Sequence, residues 1–298
     1  MRRLMWLVLI GWISLASPAW ADDAPAPLTE EQKVAEQQAA VQQAIDTGTK
    51  GPADITLLKE GKIHIQKGQI WAPTPTATRV MRAFGNSADP HLVGIIFDPN
   101  DSWVATMSFV ADGYVSDEDS KQLDATAILQ NIREGTDAAN KDRQARGFKT
   151  LEIEDWIKPP NYDAATHRLT WALRTHLQDA ETHFVNYNTR MLGREGYFAL
   201  NMLTSVADFA HDRDTADDLL STLTFDTGKR FEDFNASTDK VAEYGLAALI
   251  GVVAAKKLGL LAAAGLLLVK FGKITAIATA AIGSVMVRIF KRKPKTPA

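Results

Sequence analysis

The chain of 298 residues contains no cysteine. That excludes thiol chemistry, disulfide staples and Cys-based zinc sites, and it is compatible with an oxidising compartment without requiring one. Catalytic signatures are missing as well. There is no Gly-x-Ser-x-Gly elbow, no phosphate-cradling Gly-rich loop ending in Lys-Ser/Thr, no His-Glu-x-x-His and no dinucleotide fingerprint. Acidic residues stop at Glu243, whereas nine Lys and Arg follow Tyr244. Two more Arg lie in the first three residues, so of 33 basic and 36 acidic residues the stretch Asp22 to Glu243 keeps 22 against 36, about −14. A body that acidic is a poor partner for nucleic acid or anionic lipid head groups.

What is present is concentrated at the two ends. Arg2 and Arg3 precede the apolar run Leu4 to Ala16, and Ala19-Trp20-Ala21 has the small-x-small pattern of a signal-peptidase site. The expected signal peptide is residues 1–21; an uncleaved first anchor is the alternative. At the other end, Leu246 to Phe290 is interrupted only by Lys256, Lys257, Lys270, Lys273 and Arg288. Roughly 20 apolar residues cross a bilayer, and Phe271 to Phe290 meets that length with its charges near the ends, where they snorkel. The basic tail Lys291-Arg292-Lys293-Pro294-Lys295 then lies in the cytoplasm by the positive-inside rule. With an exported body this requires an odd number of crossings. We expect one, with Leu246 to Val269 at the interface or packed against other copies through Ala255, Gly259 and Ala263; two membrane helices are the alternative.

The expected organisation is a signal peptide (1–21), a linker and peripheral helix (22–60), an extracytoplasmic α+β domain (61–240), and a membrane anchor with a basic tail (241–298). Thr29 and Gln32 form a capping box that starts a helix over Glu30 to Ile45. Lys62 to Trp71 reads as a strand or tight hairpin around Gly68, and Thr76 to Phe84 as a helix stopped by Gly85-Asn86. His91 to Phe97 and Trp103 to Val110 are strands joined by Asp98-Pro99-Asn100-Asp101. Asp124 caps a long helix to about Ala145, and Leu151 to Trp156 is a short strand ending before Pro159-Pro160. A helix over Val206 to Leu220 and a last strand, Thr222 to Phe225, precede Phe231 to Val241, which leads into the membrane. The acidic run Asp112, Asp117, Glu118, Asp119, Asp124 does not have EF-hand spacing and reads as helix capping.

Arg168 to Leu203 reads as three antiparallel strands, and burying every large apolar residue on one face sets their register. The first hairpin then pairs residues summing to 360, the second residues summing to 389. This gathers Arg168, Arg174, Asn186, Asn188, Arg190 and Asn201 on an outward face able to bind a carboxylate, sugar or peptide. His176 and His183 resemble metal ligands across the hairpin. Direct opposition needs a sum of 359, so the favoured register sends the imidazoles to opposite faces, and neither a metal nor a cofactor is expected.

Asp112-Gly113-Tyr114-Val115, Trp156 through Leu169, Val185 through Arg190, Asp239 through Leu246 and Ala255-Lys256-Lys257-Leu258-Gly259 together resemble a family of bacterial exported, membrane-anchored proteins, the domain of unknown function 2167 family. The resemblance implies an address, the inner membrane with the main domain in the periplasm, and supplies no activity. The order of elements is also similar to the Mog1/PsbP-like sandwich, a fold analogy only. The sequence is therefore read as an α+β protein, an antiparallel sheet with flanking helices plus C-terminal membrane helices. It would contact the bilayer and an envelope protein or small ligand, self-associate through its membrane helices, and lack catalysis. The alternative is an envelope hydrolase using carboxylates among Asp112, Asp117 and Glu195.

Overall fold

The computed structural model describes residues 28–250. The expected signal peptide, most of the linker and the membrane helices beyond Ile250 lie outside the described residues. Among the described residues no helix is long and apolar enough to cross a membrane.

Helix α1 (Glu30–Thr47) opens with the capping box anticipated from Thr29 and Gln32. Strand β1 (Thr49–Lys50) follows, then the hairpin β2 (Ala53–Leu57) and β3 (Gly61–Ile65). The expected Lys62 to Trp71 hairpin is corrected here. β3 pairs with β2, whereas β4 (Ile70–Pro73) joins a different sheet between β1 and β5 (Leu92–Phe97). Helix α2 (Thr76–Ala83) and the pair of β5 with β6 (Val104–Val110) follow expectation, and an Asx turn at Asp98 closes the connection, its carboxylate accepting from Asn100 N at 2.8 Å.

Asp124 caps α3 (Ala125–Ala145) by accepting from the backbone N–H groups of Thr126 and Ala127, both at 3.0 Å. The next strand, β7 (Leu151–Asp163), does not stop before the prolines as expected but runs through both. Two facts allow it: β7 is the edge of its sheet, where a missing N–H costs no ladder bond, and its register slips between Ile153 and Asn161. Strands β8 (Arg168–Leu177), β9 (His183–Leu192) and β10 (Tyr197–Ser205) form the expected meander, followed by α4 (Phe209–Thr222) and β11 (Thr224–Phe225).

Eight strands make one antiparallel sheet in the order β1-β4-β5-β6-β10-β9-β8-β7, and β11-β3-β2 make a second. The large sheet is covered on both faces. On one, Phe198, Leu200, Met202 and Val185 pack with Leu57, Ile63 and Ile65 of the small sheet and Leu219 and Leu220 of α4. On the other, Phe97, Val104 and Leu203 pack with Ala40 and Ala44 of α1 and Val80 of α2, while Leu169, Trp171 and Leu173 pack with Ile128 and Ile132 of α3.

The core also reaches past the expected limits 61–240. Leu57 and Ala40 are fully buried at the N-terminal side, and Leu246, Leu249 and Ile250 are buried at the C-terminal side. The start of the Leu246 run is thus not a lipid-interface segment. It is a 3-10 turn, Leu246–Leu249, seated among Val115, Ile128 and Phe231.

Candidate functional site

The β9–β10 register is as expected: Met191 faces Phe198 and Tyr187 faces Met202, each pair summing to 389. The β8–β9 register is not. Arg168 faces Met191 and His176 faces His183, a sum of 359 rather than 360. The one-residue slip exchanges the faces of one strand relative to the other. It is tolerated because both faces are buried, so polar residues of β9 end up under a helical layer instead of in water.

The expected binding patch is divided by that slip. Asn186, Asn188, Arg190 and Asn201 share a face with Trp171 and Leu173, and Asn188 does face Asn201. Arg168 and Arg174 lie on the opposite face, so neither the Arg174–Asn186 nor the Thr170–Arg190 pairing forms; Arg174 faces Val185 and Thr170 faces Thr189. Arg190, Asn188 and Asn201 are also 4–5% exposed. The Arg190 guanidinium donates to Asn201 Oδ1 at 2.9 Å and Thr189 O at 3.0 Å and lies 4.8 Å from the Trp171 ring. Asn188 Nδ2 donates to Asn186 Oδ1 at 2.9 Å. Burial pushes the Arg190 pKa down to about 10. Arg168 donates to Leu220 O at 2.6 Å, tying β8 to α4. Asn201 Nδ2 is buried with no hydrogen-bond partner among the described residues.

The carboxylates considered for hydrolysis each have a different side-chain partner. Asp112 accepts from Tyr244 OH, Asp117 from Tyr162 OH at 2.8 Å, and Glu195 from Lys229 Nζ at 2.6 Å. Burial is the first cause that lifts the Tyr162 and Tyr244 hydroxyls above the ordinary phenol range, and their carboxylate neighbours add to it.

One of these contacts, Tyr244 to Asp112, belongs to a strap formed by residues 239–250. Arg194 grips Asp239 with two parallel hydrogen bonds of 2.7 and 2.8 Å. Tyr114 N donates to Lys240 O at 2.9 Å and Ala242 N to Tyr114 O at 2.8 Å, a short parallel bridge. Gly113, at φ +102°, passes so close that a Cβ would sit 2.5 Å from Lys240 O. The Tyr114 ring stacks on Phe234 at 3.8 Å, and Leu246 N donates to Asp119 Oδ1 at 3.1 Å. Asp119 stands at the start of the 3-10 turn Ser120–Gln122, as the capping reading has it, but its side chain makes no cap bond there and binds the strap. The residues quoted for the family resemblance around Asp112 and around Asp239 meet here.

A second cluster is one the sequence reading set aside. The 359 register places His176 and His183 side by side, ring centroids 5.1 Å apart. Glu154, from the irregular part of β7, reaches both: His176 Nδ1 is 2.9 Å from its Oε1, and His183 Nδ1 contacts the same oxygen. Glu152 meets the other side of His176, with Nε2 3.3 Å from Oε2. Arg174 Nε lies 3.8 Å from Glu154 Oε2. Neither glutamate drew attention in the sequence. The available signal was the pair of histidines seven apart around a short turn, which the choice of register discarded.

Among solved structures, the chain is similar to CyanoP, the cyanobacterial PsbP of Synechocystis sp. PCC 6803, at 13% identity over 61% of this chain and 99% of that one, with a TM-score of 0.35. It is also similar to the Saccharomyces cerevisiae Ran-binding protein Mog1p, at 7% identity over 59% and 96%, with a TM-score of 0.30. No curated protein matches the sequence. A family described as "Protein of unknown function (DUF2167)" matches residues 49–283, the greater part of the chain, and the protein belongs to that family.

Proposed function

We propose that the protein is an inner-membrane-anchored, extracytoplasmic binding or structural module of the bacterial envelope, without catalytic activity. The observation that carries this reading is the strap. The chain enters its apolar C-terminal run while still bound to the body, with Leu246 and Ile250 buried and Asp239 held by Arg194. Packing of the body that continues into the start of the apolar run suits a domain held near a bilayer surface. The acidic charge of residues 22–243 then holds the body off anionic head groups, while the basic tail favours the cytoplasmic side.

Each of Asp112, Asp117 and Glu195 is held by a neighbouring side chain, which favours binding over hydrolysis. The test is fractionation of cells expressing the full chain alongside one ending at Val269. We expect the full chain to stay with inner membranes through alkaline carbonate washing and the shortened chain to be released. A full chain recovered in the soluble periplasmic fraction would refute anchoring, and turnover of any envelope substrate by the purified protein would refute the non-enzymatic reading.

A further inference from the structure

We propose that Glu154, His176 and His183 form a binding site for a divalent transition-metal ion of the zinc class. One ligand atom from each lies within 4.8 Å of the other two. Two imidazole nitrogens and a carboxylate oxygen are a borderline-soft N/O set that suits zinc, nickel or copper, whereas calcium and magnesium demand oxygen shells. The residues come from three adjacent strands, so their backbone positions are fixed by the sheet. Arg133 of α3 reinforces this, its guanidinium donating to Ile153 O at 3.3 Å and to Glu154 O, which pins the irregular segment that aims Glu154 inward.

The surroundings of His176 are the more telling feature. Both its nitrogens face carboxylate oxygens, Glu154 on the Nδ1 side and Glu152 on the Nε2 side. A neutral imidazole carries one N–H, so one of these approaches would set lone pair against lone pair. An ion at Nδ1 removes the conflict, because Nε2–H then donates to Glu152 in the carboxylate–histidine–metal arrangement that orients ligating histidines. Glu154 likewise has its second oxygen on Arg174, which fixes the carboxylate while opposing the ion's charge.

In a tetrahedral zinc site, ligand atoms about 2.0 to 2.2 Å from the metal lie about 3.3 Å from one another. The 2.9 Å between His176 Nδ1 and Glu154 Oε1 opens by a few tenths of an ångström to admit the ion, and His183 Nδ1, in closer contact with the same oxygen, moves further. The side chains of His176, His183 and Glu154 are 20, 40 and 26% exposed, so the ion has an entry path and a position left for water or a fourth ligand. Asp101, His211 and Asp212 also bring three donors together, but both Asp101 oxygens accept from Ser102 N and Trp103 Nε1 and Asp212 Oδ2 accepts from Thr204 Oγ1, which leaves Asp212 Oδ1 as its one unbonded carboxylate oxygen. The Glu154 site lies on the body, so its test does not depend on whether the chain is membrane-anchored.

The test uses full-length protein in detergent, without a histidine tag and stripped with EDTA, titrated with Zn2+ in competition with a chromophoric chelator. The expected result is one Zn2+ per chain, a raised thermal midpoint at saturation, and the visible spectrum of four-coordinate Co2+ on substitution. The double variant H176N/H183N and the single variant E154Q should lose the high-affinity equivalent. E152Q should keep it, weakened about 10- to 100-fold, as expected of a residue acting through His176. Near-UV circular dichroism and melting in EDTA establish that each variant is folded. Absence of a one-equivalent site in the wild type, or equal binding by wild type and folded E154Q, would overturn the proposal.

Discussion

Replacing Leu246 with Ala tests the strap at its most buried point. Leu246 is 0% exposed and belongs to the cluster that includes Val115, Ile128, Leu129, Phe231 and Leu249. Truncation leaves a cavity between α3 and the strap, and Leu-to-Ala changes at such sites cost about 3 kcal/mol, combining lost transfer energy with an incompletely collapsed void. For a body of this size, each kcal/mol lowers the melting midpoint by about 2 to 4 °C, so L246A should melt about 6 to 12 °C below wild type. The control is Val241→Ala in the same strap. Val241 is 50% exposed, and its loss should stay within about 0.5 kcal/mol. Near-UV circular dichroism of the full chain in detergent reads both. If L246A and V241A melt together, residues 246–250 do not pack on the body and the strap is wrong. The same argument predicts that a fragment ending at Asp239 unfolds more readily than one ending at Ile250, since it discards Leu246, Ala248, Leu249 and Ile250, all buried.

Other substitutions check the remaining parts of the account. Arg190→Ala should destabilise by about 3 kcal/mol, because it strands the buried Asn201 Oδ1 and removes the stem packed beside Trp171; chemical unfolding measures this, and a surface-like cost would mean the network is open to solvent. Asp239→Asn should lower stability at neutral pH but not in strong acid. Hydrogen bonds from Arg194, then from the Asn235 N–H, hold the Asp239 carboxyl well below the usual carboxylate range. A depressed folded-state pKa contributes stability that is complete above the unfolded value near 4 and is lost as pH falls through the depressed one. The gap in midpoint between wild type and D239N should therefore be flat from neutrality to about pH 5 and narrow below about pH 4; a gap that grows on acidification would contradict the assignment. Asp124→Ala, which removes the cap of α3, should cost about 1 kcal/mol, read by the same unfolding experiment.

Local structure was largely legible in the sequence because it depends on neighbours along the chain. Thr29 with Gln32, Asp124 before α3, and the Asx turn at Asp98 each act within a few residues, and each forms as read. The second hairpin was legible too, since its tight Gly193 to Gly196 turn fixes the pairing, Gly193 N donating to Gly196 O at 2.8 Å. What escaped depends on layers the pattern does not show. Choosing the β8–β9 register by burying one face assumes that the other meets water. Here α3 covers Trp171 and Leu173 while α4 and the small sheet cover Val185 and Tyr187, so apolar alternation no longer distinguishes 359 from 360. That single residue of slip divided the expected Arg/Asn patch between two faces and brought His176 to His183. The β7 prolines misled for a related reason, as edge position is a property of the sheet and not of the strand.

The chain's lack of cysteine makes its placement directly measurable with single introduced thiols. Ala138→Cys lies on the exposed side of α3, and Lys295→Cys lies in the basic tail. Treated in intact spheroplasts with a membrane-impermeant maleimide, A138C should label fully, and K295C should label only after the membrane is breached. Labelling of K295C in sealed spheroplasts, or protection of A138C until lysis, would contradict an extracytoplasmic body held by a single crossing.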